Sequence, residues 1–111
     1  MHIEIHIDGE LKTFTAPVVP VLAKRMYLKI EAENEKKGEN YRPTAQQQLD
    51  EETEMASILA DVVFEGKFTV DQLFKGVSDK YFYQKLREAV FGEVPENSET
   101  KVDDEGNLKG E

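Results

Sequence analysis

Hydrophobic and polar residues alternate strictly at the start of the chain. In the segment "HIEIHI", Ile3, Ile5 and Ile7 fall on one side of an extended backbone and the polar residues fall on the other. Asp8-Gly9 separates this segment from "ELKTFTA", and Asp-Gly between β-type segments favours a two-residue turn, because both turn positions need a positive φ. The pattern predicts a β-hairpin whose isoleucine face is covered by later parts of the chain.

The register of this hairpin depends on the length of its turn. A two-residue turn places Ile3 opposite Phe14, but it also places Lys12 opposite Ile5 on the apolar face. A longer loop that includes Glu10 is therefore a second solution. Two strands alone are only marginally stable in water, so helices must pack on the hairpin in either case.

A helical repeat follows the hairpin. Leu22, Met26 and Ile30 recur every four residues, with charged residues between them, and Gly38 is a suitable stop. The repeat predicts a helix over residues 20–37. A polar connection, "GENYRPTA", separates this helix from the next one.

Three further helices are predicted after this connection. Thr44 is the expected N-cap of the second helix, which ends at Gly66, while Thr69 and Gln72 have the spacing of a capping box at the start of the third. Ser78 opens the fourth in the same way. The expected apolar positions are Leu49, Met55, Ile58, Leu59, Val62 and Val63 in the second helix, Val70, Leu73, Phe74 and Val77 in the third, and Phe82, Leu86, Ala89 and Val90 in the fourth.

The chain changes character near its C-terminus. Residues 94–111 are rich in acidic and small polar residues and contain no aromatic residue, so they cannot bury enough apolar surface to offset the entropy of ordering. We expect an α+β fold: an N-terminal β-hairpin followed by a small bundle of about four α-helices, in a single domain over residues 1–93. A flexible, disordered acidic tail over residues 94–111 completes the prediction.

Composition narrows the possible functions. The formal net charge of −9 repels a phosphate backbone, so we expect no nucleic-acid partner. The chain has no Cys, no glycine-rich phosphate loop and no nucleophile elbow, so we expect neither an enzyme nor a cofactor. No apolar run approaches the ~20 residues that span a bilayer, and the N-terminus does not resemble a signal peptide. We therefore expect a cytoplasmic protein with no membrane partner.

His2, Glu4 and His6 share the polar face of the first strand, which suggests a zinc site. Alternate residues of one strand lie roughly 6–7 Å apart, and a catalytic zinc site normally draws its ligands from more than one segment. No third His and no Cys is present to complete the site. We interpret these side chains as a solvated face and expect no metal.

Aromatic residues are concentrated in the last predicted helices. Most of them suit a core built from three helices, which is the first interpretation. The second interpretation is that Tyr81, Tyr83 and Phe91, at the edges of the final helix, line a surface that receives an amphipathic partner helix or a second copy of the chain.

The order and spacing of several segments resemble the tail assembly chaperones of long-tailed, siphovirus-type bacteriophages and prophages of Gram-positive hosts. The segments are "IDGELKTFTAPVV", "LADVVFEGKFTVDQLFKGV" and "AVFGEV". The resemblance covers residues 3–94 and is most specific in "KTFTAP" and in the pattern V-F-x-x-x-F-T-x-D-x-L-x-x-G over residues 63–76.

The resemblance implies a protein of the host cytoplasm that binds the tape measure protein. Such chaperones keep this client soluble before and during tail tube polymerisation and leave before the virion is complete. The client contacts that we expect are Met26 and Tyr27 on the first helix and Tyr81, Tyr83 and Phe91 on the last. Self-association is a further possibility. The alternative is a structural tail or head-tail connector protein that forms rings in the virion.

The resemblance also implies a second gene product. In many such genes a −1 ribosomal frameshift yields a longer protein, whose extra domain recruits tail tube subunits. A slippery heptamer U UUA AAN is read in the zero frame as the end of an Asn codon, then Leu, then Lys, and the chain carries Asn107, Leu108 and Lys109. Chance is the alternative explanation for this tripeptide. If the frameshift occurs, the acidic tail becomes a linker in the longer product.

Overall fold

The chain folds as a β-hairpin followed by four α-helices, in a computed structural model that describes residues 1–92. The elements are the strands β1 (His2–Ile7) and β2 (Glu10–Thr15) and the helices α1 (Val21–Glu35), α2 (Ala45–Ser57), α3 (Val70–Gly76) and α4 (Asp79–Phe91). A π-helical segment, Ile58–Val63, continues α2 directly. The predicted α+β architecture is confirmed. The predicted tail over residues 94–111 lies outside the described residues.

The hairpin has the shorter of the two predicted turns. Asp8 and Gly9 have φ values of 52° and 79°, as a two-residue turn with two left-handed positions requires. The antiparallel register places Ile3 opposite Phe14, and Ile3 and Ile5 are fully buried. The alternation in the sequence therefore identified the core face of β1.

Close backbone contact joins α3 to β1. A Cβ atom on Gly76 would collide with the carbonyl oxygen of His6 and with Cγ2 of Ile5, so only glycine allows this approach. At the start of α4, the Tyr81 hydroxyl accepts a hydrogen bond from the amide of Glu4 at 3.0 Å. These contacts cover the isoleucine face and the outer edge of β1.

The π-helical segment departs from the regular helix that the sequence predicts up to Gly66. The Phe64 amide donates to the carbonyl of Leu59 at 2.9 Å, and the Gly66 amide donates to the carbonyl of Ala60 at 2.7 Å. Hydrogen bonds that reach back five or six residues widen the last turns. Four residues of this segment are buried, namely Ile58, Leu59, Ala60 and Val63. A segment that is apolar around most of its circumference packs on several sides, and this one contacts α1, α2 and α4.

Three residues that were predicted in buried stripes are exposed instead. Leu22 is 53%, Leu49 57% and Phe74 42% exposed. Leu22 lies on α1 and Leu49 on α2, while Phe74 lies on α3, where its ring meets that of Phe82 edge-to-face. The first helix is also shorter than the predicted 20–37. By contrast, all four predicted core residues of α4 are buried.

The buried residues divide the described chain into two regions. Every fully buried residue lies in residues 1–23 or 55–92, which we name the core region. No residue from 24 to 54 is fully buried, although this stretch contains most of α1 and α2. We name residues 24–54 the α1–α2 arm.

Candidate partner-binding groove

A groove of about 830 Å³ separates the two helices of the arm. One wall runs from Met26 to Lys37 and the other from Gln47 to Ser57. At 1.5 Å per residue, the helical parts of these walls, residues 26–35 and 47–57, are about 14 Å and about 15 Å long, which is a little under three helical turns. The two walls are therefore of matching length.

A strip of apolar side chains lies in the groove. Met26 and Ile30 come from successive turns of α1, are half-buried, and contact the hydrophobic core with part of their surface. Tyr41 and Pro43 come from the connection between the helices. The Lys37 ammonium lies 4.7 Å from the centre of the Tyr41 ring. The apolar strip thus extends from the core region to the connection.

Acidic side chains outnumber basic ones along the groove. Its charged residues are Glu33, Asp50, Glu51, Glu54, Lys29 and Lys37. The ion pairs found within residues 1–92 are Lys75 with Asp71 and Lys85 with Glu88, both outside the groove. None of the four groove carboxylates therefore forms an ion pair in the described part of the chain, and their excess over Lys29 and Lys37 favours a cation from elsewhere.

The two walls are joined at one point. The Asn34 side-chain amide donates a hydrogen bond to Glu51 Oε2 at 2.7 Å. Within residues 1–92, no other side-chain hydrogen bond links α1 to α2, and their backbones make little direct contact. The arm is therefore an open pair of helices rather than a packed helical hairpin.

The structure brings two of the predicted contact residues together beside the groove. The Tyr27 and Phe91 rings meet edge-to-face with their centres 5.5 Å apart, which joins α1 to α4. Partial burial, followed by the charge of Glu31, raises the pKa of the Tyr27 hydroxyl. Met26 lies in the groove itself. Met26 and Tyr27 lie in the arm and Phe91 packs against it, and all three remain predicted partner contacts.

The other two predicted contact residues serve the fold. The Tyr83 hydroxyl donates to Glu52 Oε2 at 3.3 Å, and its ring packs 4.9 Å from that of Phe82. Partial burial and the Glu52 charge raise the pKa of Tyr83. Tyr81 contacts β1, as described above. Partner binding by Tyr81 and Tyr83 stays a prediction.

Sequence analysis missed part of the groove. The sequence pattern places Tyr41 and Pro43 in a polar connection and Ile30 on the apolar stripe of the first helix. The available signal was an aromatic residue and a proline in an otherwise polar segment, next to a helix with few apolar positions. That signal does not show whether these side chains line a groove or face the solvent.

The outer face of the hairpin is exposed, as predicted for His2, Glu4 and His6. Among residues 1–92, no group of three or more His, Asp or Glu side chains is arranged to hold a metal ion. A shallower cavity of about 550 Å³ lies between this face and the α3–α4 junction. None of the helices within residues 1–92 combines the length and the apolar character needed to cross a bilayer.

The sequence profile of one family, described as "Phage tail chaperone protein", matches residues 1–110. No curated protein and no solved structure gave a match. The family match spans the hairpin, the arm and all four helices.

Proposed function

The chain belongs to the phage tail chaperone family, and from this premise we propose that it binds the tape measure protein of its phage. In this role it keeps the tape measure protein soluble while the tail tube polymerises, and it is absent from the finished virion. It acts in the cytoplasm of the bacterial host, a Gram-positive cell infected by a siphovirus-type phage, and it catalyses no reaction.

The family match carries this proposal, and the open arm supports it. A tape measure protein is expected to be a long, helix-rich chain that aggregates unless its apolar stripes are covered. The groove offers apolar side chains that the described chain leaves half-exposed, including Met26 and Ile30. The net charge of −9 makes coated complexes repel one another. Several copies bound along one client also gain from avidity.

Co-expression tests this role directly. The full chain is produced together with the tape measure protein from the same phage, and the soluble fraction of the tape measure protein is measured with and without the chain. We expect the tape measure protein to be soluble only in the presence of the chain, and to co-purify with it. A tape measure protein that is equally insoluble in both cultures would contradict the proposal.

Particle size separates this role from that of a connector. Light scattering during gel filtration should give a small or loosely associating species for a chaperone. A closed ring of fixed size, also found in purified virions, would instead indicate a structural connector.

We also propose a longer frameshifted product that recruits tail tube subunits. Asn107, Leu108 and Lys109, which define the candidate slippery sequence, lie outside the described residues. An N-terminally tagged natural gene with its downstream DNA should give a minor longer band on an immunoblot. Synonymous changes in these three codons should remove that band. A single short band from the natural gene would contradict this second product.

A further inference from the structure

We propose that the groove of the α1–α2 arm binds one amphipathic helix of the client, and that this helix carries lysine or arginine beside its apolar stripe. The inference rests on the proposed function, and it adds the place of binding and the chemistry of the segment bound. Three features of the groove support it: the length of the groove, its apolar strip and its charge.

The length and shape of the groove suit a helix. Its two walls extend over about three helical turns, and a helix of this length presents apolar residues at positions i, i+3 or i+4, and i+7 on one face. Met26 and Ile30 lie on successive turns of α1 and can contact such a face. Because α1 and α2 have little direct contact, a third helix would complete their packing at the usual distance of about 8–10 Å between axes.

The charge of the groove selects among possible occupants. Four carboxylates against two lysines favour a cationic helix. Residues 94–111 of this chain carry more acidic than basic residues and would be repelled. A second copy of the chain would offer α1, with equal numbers of acidic and basic residues, or the acidic α2. A basic client helix is therefore the occupant that the groove fits best.

A matched pair of designed peptides tests the chemistry. Both are amphipathic helices of about 18 residues, or five turns, with the same leucine stripe, and lysine flanks the stripe in one peptide and glutamate in the other. Calorimetry with the full chain should detect the lysine peptide, with the glutamate peptide binding about tenfold more weakly. Added salt should weaken binding of the lysine peptide. Equal affinity for the two peptides, or no binding of the lysine peptide, would overturn the proposal.

Two pairs of variants test the place of binding. Ile30→Asp puts a charge in the groove, while Leu28→Asp makes the same kind of change on the opposite side of α1, where Leu28 is exposed. The first should abolish binding of the lysine peptide and the second should leave its affinity unchanged. Glu54→Lys should weaken binding of the lysine peptide and strengthen binding of the glutamate peptide. Glu10→Lys, on the hairpin, makes the same change in net charge. It should leave the affinities for both peptides unchanged.

The variants also distinguish a failure of the groove proposal from a failure of the proposed chaperone function. Because Ile30 contacts the core, a circular dichroism melt checks that Ile30→Asp is folded, and the exposed Glu54 provides a second test if it is not. If folded Ile30→Asp or Glu54→Lys binds the lysine peptide as the wild type does, the groove is not the site, although the chaperone role survives. If the wild type binds the peptide but leaves the tape measure protein insoluble, the proposed function fails while the groove remains a binding site. Concentration-dependent self-association that Ile30→Asp removes would identify a second copy as the occupant and overturn the proposal.

Discussion

The core region and the α1–α2 arm use the same kinds of residues for different purposes. Leu49 and Leu59 belong to one continuous helical stretch, yet Leu49 is 57% exposed and Leu59 is fully buried. Both fit an amphipathic pattern. The comparison teaches that such a pattern identifies a face that needs cover, but not whether the same chain or another molecule covers it.

Local signals are equally strong in the two regions. Thr44 with Gln47 at the start of α2 and Thr69 with Gln72 at the start of α3 both form complete capping boxes. Capping alone gives marginal helices, because most helix stability in proteins comes from packing. The arm therefore has a well-capped α2 but no buried residue, so we expect it to open locally at a lower free energy than the core region.

The largest contrast should come from the same substitution in each region. Leu59→Ala removes a buried side chain and should lower the free energy of unfolding by about 2–5 kcal/mol. Leu49→Ala changes an exposed side chain and should cost less than about 0.5 kcal/mol. Urea denaturation of the full chain measures both. Similar losses would mean that the arm is as well packed as the core region.

Gly76→Ala should be the next most damaging change. The added methyl group meets the His6 carbonyl and the Ile5 side chain, and overpacking of this kind costs about 1–3 kcal/mol. Gly38→Ala, in the connection of the arm, meets no atom within 4 Å and should cost only about 1 kcal/mol for its positive φ of 83°. Thermal unfolding compares the two. An unchanged midpoint for Gly76→Ala would show that α3 does not contact β1 as closely as described.

Loss of a helix cap should have different consequences in the two regions. Thr69→Ala should lower global stability by about 1 kcal/mol, because α3 is packed on the hairpin. Thr44→Ala removes an equivalent hydrogen bond, but it should speed amide hydrogen exchange at the start of α2 and leave the global midpoint nearly unchanged. An equal fall in global stability for both variants would mean that the arm unfolds together with the core region.

The smallest effect should depend on pH. Partial burial, followed by Glu52, raises the pKa of Tyr83 above 10.0, so the folded chain keeps this phenolic proton at a pH where the unfolded chain loses it. The associated stability is complete below pH 10 and is lost as the pH rises through the folded pKa. Tyr83→Phe should cost about 0.5 kcal/mol at neutral pH and reduce the alkaline loss of stability. Identical alkaline slopes for the two proteins would contradict this assignment.

The sequence was most informative where local turn and helix preferences coincide with burial in the core. The Asp8-Gly9 turn and the buried face of α4 followed from turn chemistry and pattern, whereas the register that pairs Ile3 with Phe14 was one of two alternatives until the structure showed the shorter turn. The π-helical segment did not follow from the pattern, because the spacing of apolar residues does not distinguish its wider turns from those of a regular helix. The exposure of Leu22 and Leu49 could not be predicted either, since periodicity does not show which elements pack against a helix.

The groove was the least predictable feature. Of its apolar residues, Met26 alone was expected to contact a partner. Ile30 has the spacing of a core residue, and Tyr41 lies in a polar connection. Their convergence depends on how far apart α1 and α2 are held, which is a property of the tertiary structure.

Hydrogen exchange on the complex tests most directly whether the α1–α2 arm, rather than the core region, binds the client. The full chain is compared alone and bound to the tape measure protein. We expect slower exchange on binding across residues 24–54, especially around Met26, Ile30 and residues 47–57, with little change in the hairpin and α3. Protection confined to the hairpin or to α3 and α4, with an unchanged arm, would contradict the proposal that the α1–α2 arm holds the client.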